Sequence, residues 1–209
     1  KEYKKEDLII ADTGAGKTYT IFNSTNEDEW NIGIFPYWSM TDHNSNKYNI
    51  QRLVGGDFVD VDIETQWSLN SEPIEIFEGV YFDESQFHQN NTIKRFACLM
   101  DKTDEMQRYI EDWSRAGGDL MAMKGIVWVD EAHVLVSSTY RQNAINKVFN
   151  FLNFIRNNTS LSIIYTTATP FNCQLLPYQT IHFYDKFEEK SNIKKVDEYI
   201  CKPEQKITT

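Results

Sequence analysis

Long apolar runs are missing from these 209 residues. None approaches the ~20 residues that a membrane-spanning helix requires, which predicts a soluble protein with no membrane partner. Cysteine is scarce as well. Cys98, Cys173 and Cys201 are odd in number and too far apart for a zinc-ligand pattern. With no signal-peptide pattern beside them, they predict a reducing, intracellular setting. His43, His88, His133 and His182 lack metal-ligand spacing too. Basic charge is in deficit, with 21 Lys and Arg against 31 Asp and Glu and a net charge of −10. No overall basic field therefore draws in nucleic-acid phosphates, although a local groove on an acidic body can still do so. No internal repeat or low-complexity tract is visible. What the chain does have is 41% apolar and 14% aromatic residues, enough for a sizeable core and an argument against disorder. The length fits one large domain, or one and a half.

One stretch organises the rest. After the apolar run Leu8-Ile9-Ile10 comes Ala11-Asp12-Thr13-Gly14-Ala15-Gly16-Lys17-Thr18, the phosphate-loop pattern G-x-x-x-x-G-K-[ST] with Ala11 at the first position. Gly14 and Gly16 permit a tight turn that aims backbone N–H groups at phosphate oxygens, and a helix begins there. Thr13, Gly14, Ala15 and Gly16 are the candidate cradle. Lys17 is placed to reach the β- and γ-phosphates, and the Thr18 hydroxyl to ligate Mg²⁺. The bland alternative is a Gly-rich βα turn with no ligand.

Along the chain, Leu8–Ile10 predicts a strand and 16–23 a short helix. Asn31–Phe35 predicts a buried strand stopped by Pro36, and Thr41–Tyr48 an exposed loop or the start of a helix. Further strand candidates fall at Phe58–Ile63 and within Ile74–Phe82. From Thr103, Met106, Tyr109, Ile110 and Trp113 recur at helical spacing until Gly117-Gly118. Gly125–Val129 reads as a central parallel strand covered on both faces. A long helix is expected from about Arg141 to Asn157, then strands at Leu161–Tyr165 and Thr180–Tyr184. Alternating strands and helices with a phosphate loop at the first βα turn predict an α/β protein: a doubly wound, mainly parallel sheet with helices on both faces and its site at the carboxyl ends of the strands.

Asp130-Glu131-Ala132-His133 follows the Ile126–Val129 run directly. An Asp there can hold Mg²⁺, and its neighbouring Glu can orient the attacking water, because phosphoryl transfer asks for positioning and charge neutralisation. The alternative is an acidic helix cap. Phe82-Asp83-Glu84-Ser85 is a rival acidic motif, but its preceding run carries Glu75, Glu78 and Gly79 and makes a poorer central strand. A third motif, Tyr165-Thr166-Thr167-Ala168-Thr169-Pro170, again ends an apolar run. Its alternative is an ordinary turn before Pro170.

Together, in this order, the three motifs resemble the first core domain of a superfamily 2 helicase or translocase of the kind named for its Asp-Glu-Ala-His box. Ala11–Thr18 looks like that family's motif I, Asp130–His133 its motif II and Thr167–Pro170 its motif III. The resemblance runs from about Leu8 to Pro170. It implies a RecA-like P-loop NTPase domain over 1–185, with 186–209 a charged exit linker or terminal helix towards a second domain. It further implies ATP and Mg²⁺ as cofactors, DNA or RNA as partner, and Lys17, Asp130 and Glu131 as the catalytic set with Thr18 and Asp130 on the metal. His133 would couple the nucleotide site to Thr167 and Thr169, which would pass its state to the nucleic acid.

Departures from the pattern carry expectations of their own. The segment corresponding to motif Ia, Phe35-Pro36-Tyr37-Trp38-Ser39-Met40-Thr41, keeps the Pro and lacks the Arg. Tyr37 and Trp38 could stack on single-stranded bases or simply pack as rim aromatics. No adenine-reading Gln motif precedes Leu8. The residues after Pro170 are too few for a second core domain, and no arginine-finger segment is present. Such fingers are worth ~10³–10⁵ in rate in related hydrolases, so the chain is expected to bind ATP and turn it over weakly until a second RecA-like domain or a partner supplies them. Another P-loop motor, for DNA packaging or secretion, and a non-catalytic nucleotide-responsive module remain open alternatives.

Overall fold

The computed structural model describes residues 6–48, 50–53, 93–184 and 197–199. The strand candidates at Phe58–Ile63 and Ile74–Phe82, the rival Asp83-Glu84 motif, Cys201 and most of 186–209 lie outside them.

Strands come first because the hydrophobic pattern dictates them. β1 (Glu6–Ala11), β2 (Trp30–Phe35), β4 (Arg95–Leu99), β5 (Gly125–Val129), β6 (Ser162–Thr167) and β7 (Thr180–Tyr184) are joined by the short strand β3 (Gln51–Leu53). Their order across the sheet is β3-β4-β2-β5-β6-β1-β7, every adjacent pair is parallel, and β8 (Asp197–Tyr199) adds antiparallel to β7. β2 is buried at all six positions, as a strand covered on both faces should be. Its alternate side chains leave on opposite sides. Trp30, Ile32 and Ile34 join Phe96, Cys98, Val127 and Val129 in the larger core, against the helices α3 (Thr103–Arg115) and α5 (Gln142–Asn158). On the other face Phe35, Ala97 and Trp128 meet Ile21 and Phe22 of α1 (Lys17–Phe22). Helices therefore flank both faces of a mainly parallel sheet, in agreement with the α/β class expected of a RecA-like P-loop domain. No helix among the described residues is long and apolar enough to cross a membrane.

Trp128 sets the position of α1. Its ring meets Phe22 edge-on at 5.0 Å and Phe35 at 5.2 Å, both with interplanar angles of 83°, the preferred aromatic geometry. Such a large ring fits beneath β2 only because position 33 has no side chain. A Cβ on Gly33 would stand 2.8 Å from the indole. The indole Nε1–H donates to Asn31 Oδ1 at 2.9 Å, and Asn31 Nδ2 donates in turn to Ile21 O at 3.1 Å and Thr25 Oγ1 at 2.9 Å. One fully buried amide thus links the sheet to the end of the helix that follows the phosphate loop.

Three elements depart from the expectation. The polar segment expected as a loop or the start of a helix is helix α2 (Trp38–Tyr48), with Thr41, Asn44 and Ser45 buried. Its chain lacks apolar periodicity and is held instead by side-chain bonds. Thr41 Oγ1 donates to Tyr37 O at 3.2 Å, Asn44 Nδ2 to Met40 O at 2.8 Å and Ser45 Oγ to Ile50 O at 2.7 Å. β3 and β4 are the other two. β4 begins on Arg95, whose guanidinium bonds Phe22 O, so a charge heads a strand that is otherwise core.

Replacing Asn31 with Leu leaves the Trp128 N–H buried without a partner, while the Ile21 carbonyl keeps its bonds from Ser24. The variant should lose about 2 kcal/mol of stability, seen as a lower urea midpoint at unchanged m-value.

Candidate nucleotide and metal site

Every strand from β3 to β7 points the same way, so the turns that leave β1, β5 and β6 emerge on one edge of the sheet. β6 lies between the other two, with Ile10 beside Thr167 and Val129 beside Tyr165. Two strand spacings place the phosphate loop and the acidic turn ~10 Å apart. That span suits a nucleotide's phosphates with their metal.

The loop after β1 turns through Gly14 and Gly16, whose φ angles are 76° and 88°. These values belong to the left-handed region that glycine enters without penalty. A Cβ at Gly16 would meet no atom within 4 Å, so its requirement is conformational, not steric. Ala15 N–H donates to Asp12 O at 3.1 Å and Thr20 N–H to Gly16 O at 2.9 Å, closing the loop onto the helix. Lys17 Nζ donates to Ala11 O at 2.7 Å and to Asp12 O at 3.0 Å. An ammonium has three N–H bonds, so one remains to turn towards an anion. Thr13, Gly14 and Gly16 are exposed, while Ala15, Lys17 and Thr18 are half-buried. α1 has only six residues, so loop amides and the lysine charge, more than a helix dipole, would attract phosphate.

At the end of β5 the backbone changes neighbours. Asp130 N–H donates to Ile34 O of β2 at 2.9 Å, whereas Ala132 N–H donates to Thr166 O of β6, also at 2.9 Å. Glu131 sits between the two and adopts φ 48°, a left-handed conformation uncommon for a residue with a side chain. Asp130 is 4% exposed. Its Oδ1 accepts from Glu131 N–H at 3.0 Å and from Thr166 Oγ1 at 2.9 Å. The alternative of an acidic helix cap does not describe this turn. The cap of the following four-residue helix α4 (Val134–Ser137) is His133, with no side-chain capping bond.

His133 joins the acidic turn to the third motif. Its Nδ1 lies 3.3 Å from Glu131 Oε2 and 3.0 Å from Thr167 Oγ1. A carboxylate only accepts, so the arrangement calls for the proton on Nδ1, shared between the two oxygens. The Thr167 hydroxyl is then free to donate to Thr169 O at 3.0 Å while accepting Thr169 N–H at 2.9 Å. Thr167 and Thr169 form a tight turn and at the same time reach the site. Cys173 Sγ donates to Thr169 O at 3.7 Å. Burial pushes this thiol up to about 11, which keeps it protonated and non-nucleophilic near neutrality.

The sequence-predicted residues therefore fall on one sheet edge, in two groups: the loop with Lys17 and Thr18, and the Asp130-Glu131-His133-Thr167-Thr169 network. The donor chemistry fits Mg²⁺. Among the described residues no group of three His, Cys, Asp or Glu could cage a metal, and Mg²⁺ is characteristically held by one or two protein oxygens together with substrate phosphates. Asp130 and Thr18 are oxygen donors of that kind. Two residues had no assigned role, Thr166 and Arg141. The first was hidden as one hydroxyl in a run of threonines. Arg141 donates to Pro36 O, its guanidinium lies over the Tyr37 ring at 5.4 Å, and it approaches Asp101 at 3.5 Å. Only the fold brings these together. Beside them are open recesses of ≈ 440 Å³, lined by Asp101, Tyr140 and Arg141, and ≈ 490 Å³, lined by Trp38, His43 and Lys47.

No family model matches the chain and no curated protein matches it.

The His133–Thr167 link is measurable without any ligand. A double-mutant cycle of His133→Ala and Thr167→Val on folding stability should give a coupling of about 0.5–1.5 kcal/mol; additive losses would mean that the two side chains do not interact.

Proposed function

We propose that this chain is the first motor domain of an ATP-dependent nucleic-acid helicase or translocase, similar to superfamily 2, which binds Mg-ATP and couples its hydrolysis to remodelling of DNA or RNA. The observation that supports it most is the placement of the phosphate loop, the acidic turn and the threonine turn on one sheet edge, with His133 hydrogen-bonded to Thr167. In this reading the loop amides of Thr13–Gly16 and the Lys17 ammonium hold the phosphates. Thr18 and Asp130 hold the metal. The bound magnesium would neutralise charge that develops on the transferred phosphoryl group. Glu131 orients the water and takes its proton. Its half-exposed carboxylate is steadied by His133 Nδ1–H.

Coupling follows from the same bonds. When the terminal phosphate is lost, Glu131 and His133 can exchange partners, and Thr167 passes the change to Thr169 and the loop beyond it. On the nucleic-acid side, Tyr37 is 44% exposed, Trp38 47% and Tyr140 77%. Arg141 over Tyr37 and Arg52 over Trp38, the latter at 5.6 Å, set a guanidinium on each of these rings, and Asp101 and Asp42 hold them there. Aromatic faces with guanidinium support suit single-stranded bases. Arginine fingers would come from a second RecA-like domain or a partner.

Two variants test the assignment. Lys17→Ala should weaken ATP binding about 10–100-fold, the effect of a lost charge-assisted bond. Glu131→Gln should bind ATP normally while turnover drops about 10²-fold or more, so that ATP accumulates bound. Unchanged ATP affinity in the first, with no accumulation in the second, would rule out the catalytic reading and leave a binding module. Stimulation of turnover by single-stranded DNA or RNA separates a helicase from a secretion ATPase.

A further inference from the structure

Thr166 is a fully buried polar residue on β6, next to Tyr165 and following Ile163 and Ile164. Nothing about strand packing requires a hydroxyl there, since a valine has the same shape. A buried hydroxyl needs a partner, and this one has two acceptors in range: Asp130 Oδ1 at 2.9 Å and Val129 O at 3.3 Å. It carries one proton, and the nearer, charged oxygen is the stronger acceptor. The same Oδ1 also accepts Glu131 N–H at 3.0 Å. One oxygen of the Asp130 carboxylate is thus held from two directions, whereas Oδ2 takes no hydrogen bond from the described residues.

We infer that Thr166 is a positioning residue for a divalent cation: its hydroxyl fixes the Asp130 carboxylate so that Oδ2 is the oxygen presented to a metal bound with nucleotide. The inference rests on the Mg-nucleotide reading above. A carboxyl group rotates about a broad, roughly two-fold torsion, so an unclamped Asp130 would present either oxygen in varied directions. The Thr166 bond and the Glu131 amide select one arrangement before the metal arrives. Hydrogen bonds of this kind to a ligating carboxylate are commonly worth as much as 10–100-fold in metal affinity or activity. Thr167, next along the strand, turns to the opposite face and serves His133. Successive hydroxyls therefore serve different halves of the site, Thr166 the metal acid and Thr167 the water-orienting pair.

The test is equilibrium binding of a fluorescent ATP analogue to the full 209-residue chain, titrated with Mg²⁺ and repeated in EDTA. In Thr166→Val, the Mg²⁺ concentration that half-saturates the gain in affinity should rise roughly 10–100-fold, with affinity in EDTA unchanged. Thr166→Ser should behave as the unmodified protein. Thr166→Ala lacks the hydroxyl and adds no bulk, and serves the same comparison if the valine variant folds poorly. A hydroxyl-free variant with unaltered Mg²⁺ dependence overturns the inference alone. So does one that loses affinity equally with and without Mg²⁺, because that pattern marks a merely structural role. Failure of the unmodified chain to bind the analogue at all overturns the functional reading beneath it.

Discussion

The site depends on where the chain goes after Val129. Asp130 still bonds to β2 on one side, and two residues later Ala132 bonds to β6 on the other. A backbone that crosses the end of its own strand in so few steps must bend sharply, and Glu131 takes up the bend at φ 48°. Left-handed conformations cost an ordinary residue about 1–2 kcal/mol and persist where surrounding bonds over-determine them. Here those bonds are the two amide links and the side-chain contacts to Thr166 and Thr167. The bend sends Asp130 and Glu131 in different directions from one turn, one towards β6 and the other towards His133. Without it, consecutive acidic residues would simply alternate across a strand.

The sheet supplies the second constraint. Because β6 separates β1 from β5, the threonines at its end are neighbours of the phosphate loop and of the acidic turn at once. Parallel strands make this placement possible, and parallel strands need helices on both faces. The Trp128 ring, accommodated by Gly33 and bonded to Asn31, docks α1 on one face. On the other, Tyr109 donates its hydroxyl to Ile93 O at 3.0 Å from within α3, and burial raises its pKa far above the usual tyrosine value. At the opposite end of the sheet Arg156 of α5 pairs with the buried Glu6 at 2.6 Å. Each of these fixes a helix against the sheet whose edge carries the candidate site.

Much of this was legible in the residues. Gly16-Lys17-Thr18 and Asp130-Glu131 announce themselves because the chemistry proposed for them demands fixed neighbours in sequence, and the apolar runs of β2 and β5 could hardly be anything but buried strands. α3 and α5 follow their periodicity to within a residue or so at each end. α2 was obscured because its helix is stabilised by threonine, asparagine and serine bonding to backbone carbonyls, which leaves no apolar stripe to see. β3 is three residues long and β4 starts on an arginine, so neither carries a period of its own. Thr166 and Arg141 were missed for a different reason: their partners, Asp130 and Pro36, are distant in the chain, and only the strand order brings them together.

The central claim is that these strand-end turns share one nucleotide-bound metal. Electron–nuclear double resonance on Mn²⁺ with ATP addresses it directly. The account predicts a ³¹P coupling in the complex with the unmodified chain, and loss of tightly held Mn²⁺ with ATP still bound when Asp130 is changed to Asn. Mn²⁺ that binds the Asn variant just as tightly, or that shows no phosphorus coupling in the presence of ATP, would contradict it.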